Sequence, residues 1–197
     1  LKHPQCSCCA KPFEAEGLDH LCGDCLKRPK AFRKLFTGGA YTGTLKDLIH
    51  FSKFSEREES LRPLIRFFLQ QEHCDFDPGA YDLWLCIPTT SKHLRQRGIH
   101  LAARIMQSLS KVYRGQSSLK ALVKIRDTEP QFSLKGEARW KNVRGAFQVN
   151  SEVIEKAQKV LLVDDVYTTG ATVHEAAKTL KKEGVQEVDV LTLARGV

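Results

Sequence analysis

The apolar positions change period several times along the chain, and each change predicts an element. In AYTGTLKDLIHFSKF, Leu45, Leu48, Ile49 and Phe51 fall on one helical face, with Thr44 placed to cap it. SEREESLRPLIRFFLQQEH reads as a second helix in which Pro63 sets a kink or a late start. YDLWLCIP, from Tyr81 to Pro88, is a short apolar run closed by proline and predicts a buried strand. From Gly98, GIHLAARIMQSLSKVY places Leu101, Ile105, Leu109 and Val112 at helical spacing. ALVKI and GAFQV predict two short strands around a polar, basic loop. GATVHEAAKTLKKEG is an amphipathic helix closed by Gly184, and VQEVDVLTLAR supplies a last strand. This alternation predicts an α/β domain with a mostly parallel sheet flanked by helices, from about residue 31 to 197.

The first 30 residues follow another logic. Cys6-x-x-Cys9 and Cys22-x-x-Cys25 are two knuckles separated by 12 residues. Together they offer four thiolates to one tetrahedral zinc ion, which suits a segment too short to hold a core alone. Disulfides are the rival reading, and Cys8 leaves open a second register of ligands. Four sulfurs fill a zinc ion, so the expected role is structural. Cys86, in an apolar strand, reads as a small core residue.

Composition narrows the class. The 197 residues are 42% hydrophobic and 27% charged, as in a soluble globular protein. No apolar run approaches the ~18 residues of a membrane span, and no secretory signal pattern opens the sequence. The expected location is the cytoplasm. The net charge of +8 is unevenly spread. Residues 91–150 carry 13 Lys and Arg against three acids, a local net of +10. This suits a polyanion, either a nucleic acid or a phosphorylated small molecule, although a solvated basic surface has the same composition.

The densest chemistry lies in KVLLVDDVYTTGAT, residues 159–172. A buried strand, Val160 to Val163, is expected to end on Asp164 and Asp165, and Thr168 to Thr172 to begin a helix. Ligands of open α/β sheets bind beyond the carboxyl ends of strands. A helix start rich in hydroxyls and backbone N–H groups suits a phosphate, and two acceptor carboxylates suit a vicinal diol. Phosphate plus diol is a sugar phosphate. Neither GxxxxGK[ST] nor GxGxxG is present.

Val160 to Thr172 resembles the 5-phosphoribosyl-1-pyrophosphate (PRPP) motif of type I phosphoribosyltransferases. The resemblance implies that Asp164 and Asp165, the candidate catalytic acids, hold the ribose hydroxyls. Thr168, Thr169, Gly170, Ala171 and Thr172 would hold the 5′-phosphate, with Mg²⁺ accompanying PRPP. The four-cysteine module, AYTGTLKDLIHFSKF, IPTTSKHLRQRG, DTEPQFSLKGEARWKNVRGAF and LTLAR extend the likeness over nearly the whole chain, to the ComF family of competence proteins. By that resemblance Thr89, Thr90 and Ser91 face the pyrophosphate, with Arg95 and Arg97 adding charge. The TEPQ…NVRGAF segment corresponds to a mobile loop covering the site. Two departures stand out. Ile99, His100 and Leu101 occupy the place of a usual Asn-Gln pair, and Pro-Thr-Thr replaces Pro-Leu-His.

Two functions follow as expectations. One is handling of incoming single-stranded DNA in natural transformation. Lys135, Arg139, Lys141 and Arg144 would form the nucleic-acid or lid loop, Phe132, Trp140 and Phe147 are candidate stacking residues, and competence helicase or recombination proteins are candidate partners. The other is an active transferase moving ribose-5-phosphate from PRPP to a nitrogen acceptor.

Overall fold

A computed structural model describes residues 4–14, 16–54, 58–70, 76–90, 100–129, 134 and 136–196. After the cysteine segment and its short helix α1 (Gly23–Lys27) come β1 (Leu35–Thr37), α2 (Gly43–Phe54) and α3 (Arg62–Gln70). Next are β2 (Leu83–Cys86), α4 (Leu101–Tyr113), β3 (Ser117–Ser118) and β4 (Leu122–Lys124). The chain continues through α5 (Glu137–Val143), β5 (Phe147–Val149) and α6 (Ser151–Ile154). It finishes with β6 (Lys159–Tyr167), α7 (Ala171–Lys182) and β7 (Glu187–Arg195).

Five strands form one sheet in the order β1-β7-β6-β2-β3, every pairing parallel, while β4 and β5 form a separate antiparallel ribbon. β6 sits at the centre and is apolar on both sides, as a parallel strand covered by two layers must be: Val160 to Val163 are fully buried. Leu161 and Val163 pack with Ile49, Leu64, Phe68, Ile105 and Leu109 of α2, α3 and α4. Val160 and Leu162 pack with Val173, Ala177 and Leu180 of α7, with the β4–β5 ribbon, and with the buried cysteines.

The connectivity fixes where a ligand can sit. From β6 the chain passes through α7 to β7 on one side; from β2 it passes through α4 to β3 on the other. The strand order therefore reverses between β2 and β6, which opens a crevice beyond their carboxyl ends. At the opposite end, the buried Asp189 carboxylate anchors β7. It accepts from Arg33 Nε at 3.1 Å, the Lys34 backbone N–H at 3.1 Å and the Tyr81 hydroxyl at 2.8 Å. A charge withdrawn from water is tolerated when it is paired this fully.

Several local expectations change. β6 does not stop at Val163 but pairs with β7 through Asp164, Val166 and Tyr167, so the two acids lie within a strand. The helix after it starts at Ala171, leaving Thr168 and Thr169 in the turn. α2 begins at Gly43, one residue before the expected cap Thr44. Phe51 and Val112, both placed on buried faces by periodicity, are 62% and 53% exposed. Pro63 marks a late start, in the first turn of α3 after a short 3₁₀ turn. Cys86 is buried in β2 as expected.

Candidate functional site

Asp164 and Asp165 lie where β6 meets the crevice, and neighbouring strand residues point to opposite sides. On the α2 side, Lys53 Nζ pairs with Asp165 Oδ2 at 2.8 Å. His100, at the start of α4, also feels the Asp165 charge, and its Nε2 donates to the Ile87 carbonyl at 2.9 Å. From the ribbon, Lys124 adds its field at Asp164 and donates to the Thr128 hydroxyl at 2.7 Å. Two acids and two lysines thus converge from three elements. Burial, then the charge of Asp165, pushes the Asp164 carboxyl up to about 8, against the pull of the Asp165 N–H, Lys53 and Lys124. Burial works against the Lys53 ammonium, but its pair with Asp165 outweighs that and holds its pKa above the ordinary lysine value. Burial lowers Lys124, reinforced by Arg126 and opposed by Asp127 and Asp164.

The turn that follows leaves the start of α7 without a side-chain cap. Gly170 has φ of +77° and occupies the N-cap of α7, so no cap side chain closes the helix end. Thr169 Oγ1 accepts from the Ala171 N–H at a long 3.4 Å. Thr168 is exposed, Thr169 and Thr172 are half-buried, and Gly170 and Ala171 are buried. The glycine is demanded twice, because a Cβ there would also lie 2.3 Å from the Tyr167 hydroxyl. An uncapped helix start beside small hydroxyl residues is a ready anion site.

On the neighbouring strand, Ile87 N–H donates to the Val163 carbonyl at 2.9 Å, carrying Thr89 (half-buried) and Thr90 (buried) past the end of β2. Ser91, Arg95 and Arg97 lie outside the described residues, as do Lys135 and Phe132. The base of the basic loop is tied down. Arg126 donates to the carbonyls of Asn142 and Arg144, both at 2.8 Å, and Asn142 exchanges two bonds with the Glu129 backbone. Arg139 donates to the Leu134 carbonyl, while Lys141 and Arg144 are exposed. Phe147 is buried in β5. Trp140 is half-buried, with Arg28 and Lys30 over its ring at 4.5 and 4.8 Å.

The sulfurs of Cys6, Cys9, Cys22 and Cys25 lie within 4.8 Å of one another, and all four residues are buried. The N–H groups of Cys9 and Cys22 point at Cys6 Sγ, at 3.5 and 3.3 Å. Those N–H groups and that of Cys8 outweigh burial and bring the Cys6 thiol down to about 7, which favours the thiolate a metal needs. Cys8 is not part of the quartet: its Sγ approaches the Phe32 carbonyl at 4.0 Å, and burial pushes its thiol up to about 11. The quartet fits one tetrahedral metal ion with no position left open for chemistry.

Lys53, Lys124, Tyr167 and Arg195 were not among the residues singled out from sequence for this region, and His100 was noted only as a departure from the family pattern. Two carried a signal. Lys53 follows the buried Ile49 by one helical turn, and Lys124 follows the buried Leu122 by two strand positions, so each puts a charge on an inward face.

A sheet that reverses beside an acid pair and an uncapped, glycine-led helix start defines a phosphoribosyltransferase-like domain. Consistently, the family model described as "Phosphoribosyl transferase domain" matches residues 95–196. The chain is also similar to Competence protein F of Haemophilus influenzae, 33% identical over 98% of this chain and 85% of that protein. DNA utilization protein YhgH of Escherichia coli (strain K12) is 32% identical over 88% and 77%, and Competence protein ComFC of Streptococcus pneumoniae is 25% identical over 96% and 87%. The chain belongs to the ComF family, and it joins a four-cysteine cluster to a phosphoribosyltransferase-like domain.

Proposed function

We propose that the protein binds a phosphoribosyl ligand, PRPP with Mg²⁺, in the crevice between β2 and β6, and uses that domain in handling single-stranded DNA during natural transformation in the cytoplasm. The observation that carries the ligand reading is the convergence of Lys53 and Lys124 on the Asp164–Asp165 pair beside the Gly170 turn. In this reading the acids accept from the ribose hydroxyls. Residues 168–172 hold the 5′-phosphate, and Thr89 to Ser91 with Arg95 and Arg97 face the diphosphate. Mg²⁺ would accompany the diphosphate and offset its charge. The quartet Cys6, Cys9, Cys22 and Cys25 holds structural zinc in a module of residues 1–30 that packs into the core of the phosphoribosyltransferase-like domain, residues 31–197.

The DNA reading draws on the names of the relatives and on the +10 charge of residues 91–150. It assigns DNA contacts to Lys135, Arg139, Lys141 and Arg144, with helicase or recombination proteins as partners. Titration of PRPP with Mg²⁺ into the parent and into Asp164→Ala/Asp165→Ala tests the first part; equal affinity in the two proteins would sink it. A fluorescence-anisotropy titration of an oligonucleotide across a salt series tests the second. Neutralising the four cations should weaken binding and flatten its salt dependence. Unchanged affinity and slope would count against it.

A second reading is favoured by the lysine that reaches Asp165. A cation at the acid pair suits a diphosphate leaving C1 of ribose, as in transfer of ribose-5-phosphate to a nitrogen acceptor. Pyrophosphate release in the presence of candidate acceptors is its assay.

A further inference from the structure

Tyr167 is the last residue of β6 and stands directly before the Gly170 turn. Its side chain does not face the crevice. The residue is 3% exposed and belongs to the same buried cluster as Cys6, Cys8, Cys9, Cys22 and Cys25. The Phe32 ring meets it edge-on at 6.1 Å. Its hydroxyl lies under Gly170, close enough that a Cβ on that glycine would sit 2.3 Å from it. One side chain therefore touches the cysteine layer and the turn at once.

Arg195 supplies the second half of the link. It is 7% exposed, and its Cζ lies 5.7 Å from the centre of the Tyr167 ring. Its Nε donates to the Cys9 carbonyl at 2.8 Å, and its Nη2 reaches Cys9 Sγ at 3.8 Å. Its backbone pairs with Tyr167 across β6 and β7, and the next N–H, that of Gly196, donates to the Tyr167 carbonyl at 2.7 Å. A buried guanidinium needs polar partners, and the Cys9 carbonyl and sulfur supply them here. Four thiolates around a divalent ion keep a net negative charge, so the fit between Arg195 and the cluster survives metal binding.

We infer that Tyr167 and Arg195 are positioning residues that brace the 168–172 turn against the four-cysteine centre, so that the state of that centre sets the affinity of the turn for a phosphate. The inference rests on the reading of that turn as the phosphate site. Packed side chains pass a displacement on because an interior of crystal-like density leaves no slack to absorb it. Losing the metal lets the cysteine knuckles relax, removes the surface behind the tyrosine ring and leaves Gly170 unsupported.

The test uses the full chain with zinc bound. Tyr167→Leu removes the ring, while Tyr167→Phe keeps it. Zinc content, hydrogen exchange of the 168–172 amides and titration with PRPP and Mg²⁺ are measured on each. Tyr167→Leu should keep its zinc, exchange faster across the turn and bind PRPP weaker by about tenfold or more, as expected for a binding group moved by a fraction of an ångström. Tyr167→Phe should stay within about threefold of the parent, well under 1 kcal/mol on the affinity scale. Parental exchange and affinity in Tyr167→Leu would overturn the inference, as would equal damage in both variants. If Tyr167→Leu fails to fold, the parent stripped of zinc by a chelator decides it. Faster exchange at 168–172 with α4 still protected supports the brace; an unchanged turn overturns it. A parent that does not bind PRPP defeats the reading of the site, while the exchange data still judge the link.

Discussion

Lys53 Nζ and Asp165 Oδ2 stand 2.8 Å apart, joining α2 to the centre of the sheet across more than a hundred residues of chain. Both side chains are three-quarters or more buried, so the pair is poorly screened and its members depend on each other. Replacing Lys53 with Met leaves two adjacent acids with one cation fewer. We expect Lys53→Met to destabilise the fold by about 1–3 kcal/mol, somewhat less than a fully buried pair costs when one partner is removed. Lys53→Met/Asp165→Asn should recover most of the loss. Urea unfolding of the two single variants and the double variant measures the coupling, and additive losses would count against it.

Asp164 gives the protein a pH signature. Its folded carboxyl titrates at about 8, while an unfolded aspartate titrates at about 4. Between those values the folded state holds a proton that the unfolded state has released. Stability from this group is therefore fully present below the ordinary carboxyl range, falls as pH rises towards 8, and levels off above it. Asp164→Asn fixes the neutral form and should flatten the trend. The stability difference between parent and Asp164→Asn, followed from pH 6 to 9 by urea unfolding, is the measurement. It cancels the contribution of the cysteine centre, and a difference that does not change with pH would contradict the assignment.

What was legible in the sequence was local. The knuckle spacing of the four cysteines, the apolar run before Asp164 and Asp165, and the periodicity of α4 and α7 each depend on residues close in the chain. The parts that were missed depend on packing between distant segments. Strand β6 reads as ending at Val163 because charged residues normally stop a buried strand. Here the backbone of β7 continues alongside to Arg195 and keeps the ladder intact through Tyr167. Phe51 and Val112 have loose helical spacing, but the inward faces of those turns are taken by the buried Ser52 and by Tyr113, which packs against the core, and this turns Phe51 and Val112 outward. Arg195 looked like the polar end of a last strand, and its partner Cys9 lies at the other end of the chain.

The cysteine centre separates four ligands from one bystander. Cys22 sits in the quartet, whereas the Cys8 sulfur turns to the Phe32 carbonyl. Protein purified without chelator should carry about one zinc per chain, and less than about half an equivalent would sink the metal assignment. Cys8→Ser should retain that content, and Cys22→Ser should lose it together with much of the thermal stability. Metal analysis by mass spectrometry, paired with thermal unfolding, reads both. Loss of zinc in Cys8→Ser would place the ligands in the other register.

Gly170 is the position where backbone strain and packing meet. At φ of +77° a side chain costs about 1–2 kcal/mol through clash with the following carbonyl. An alanine methyl would also fall 2.3 Å from the Tyr167 hydroxyl and 2.6 and 2.8 Å from two ring carbons, and such overpacking costs about 1–3 kcal/mol. We therefore expect Gly170→Ala to destabilise the protein by about 2–5 kcal/mol, with both sources acting at one residue. Adding Tyr167→Phe removes the hydroxyl but leaves the ring carbons and the dihedral unchanged, so it should return only part of the loss. The same displaced turn should bind PRPP with Mg²⁺ more weakly, because its N–H groups no longer converge. Urea unfolding separates the stability terms and calorimetric titration reads the ligand. A Gly170→Ala protein of parental stability would show that the turn can rearrange freely, and the helix start could not then be the rigid anion cradle described here.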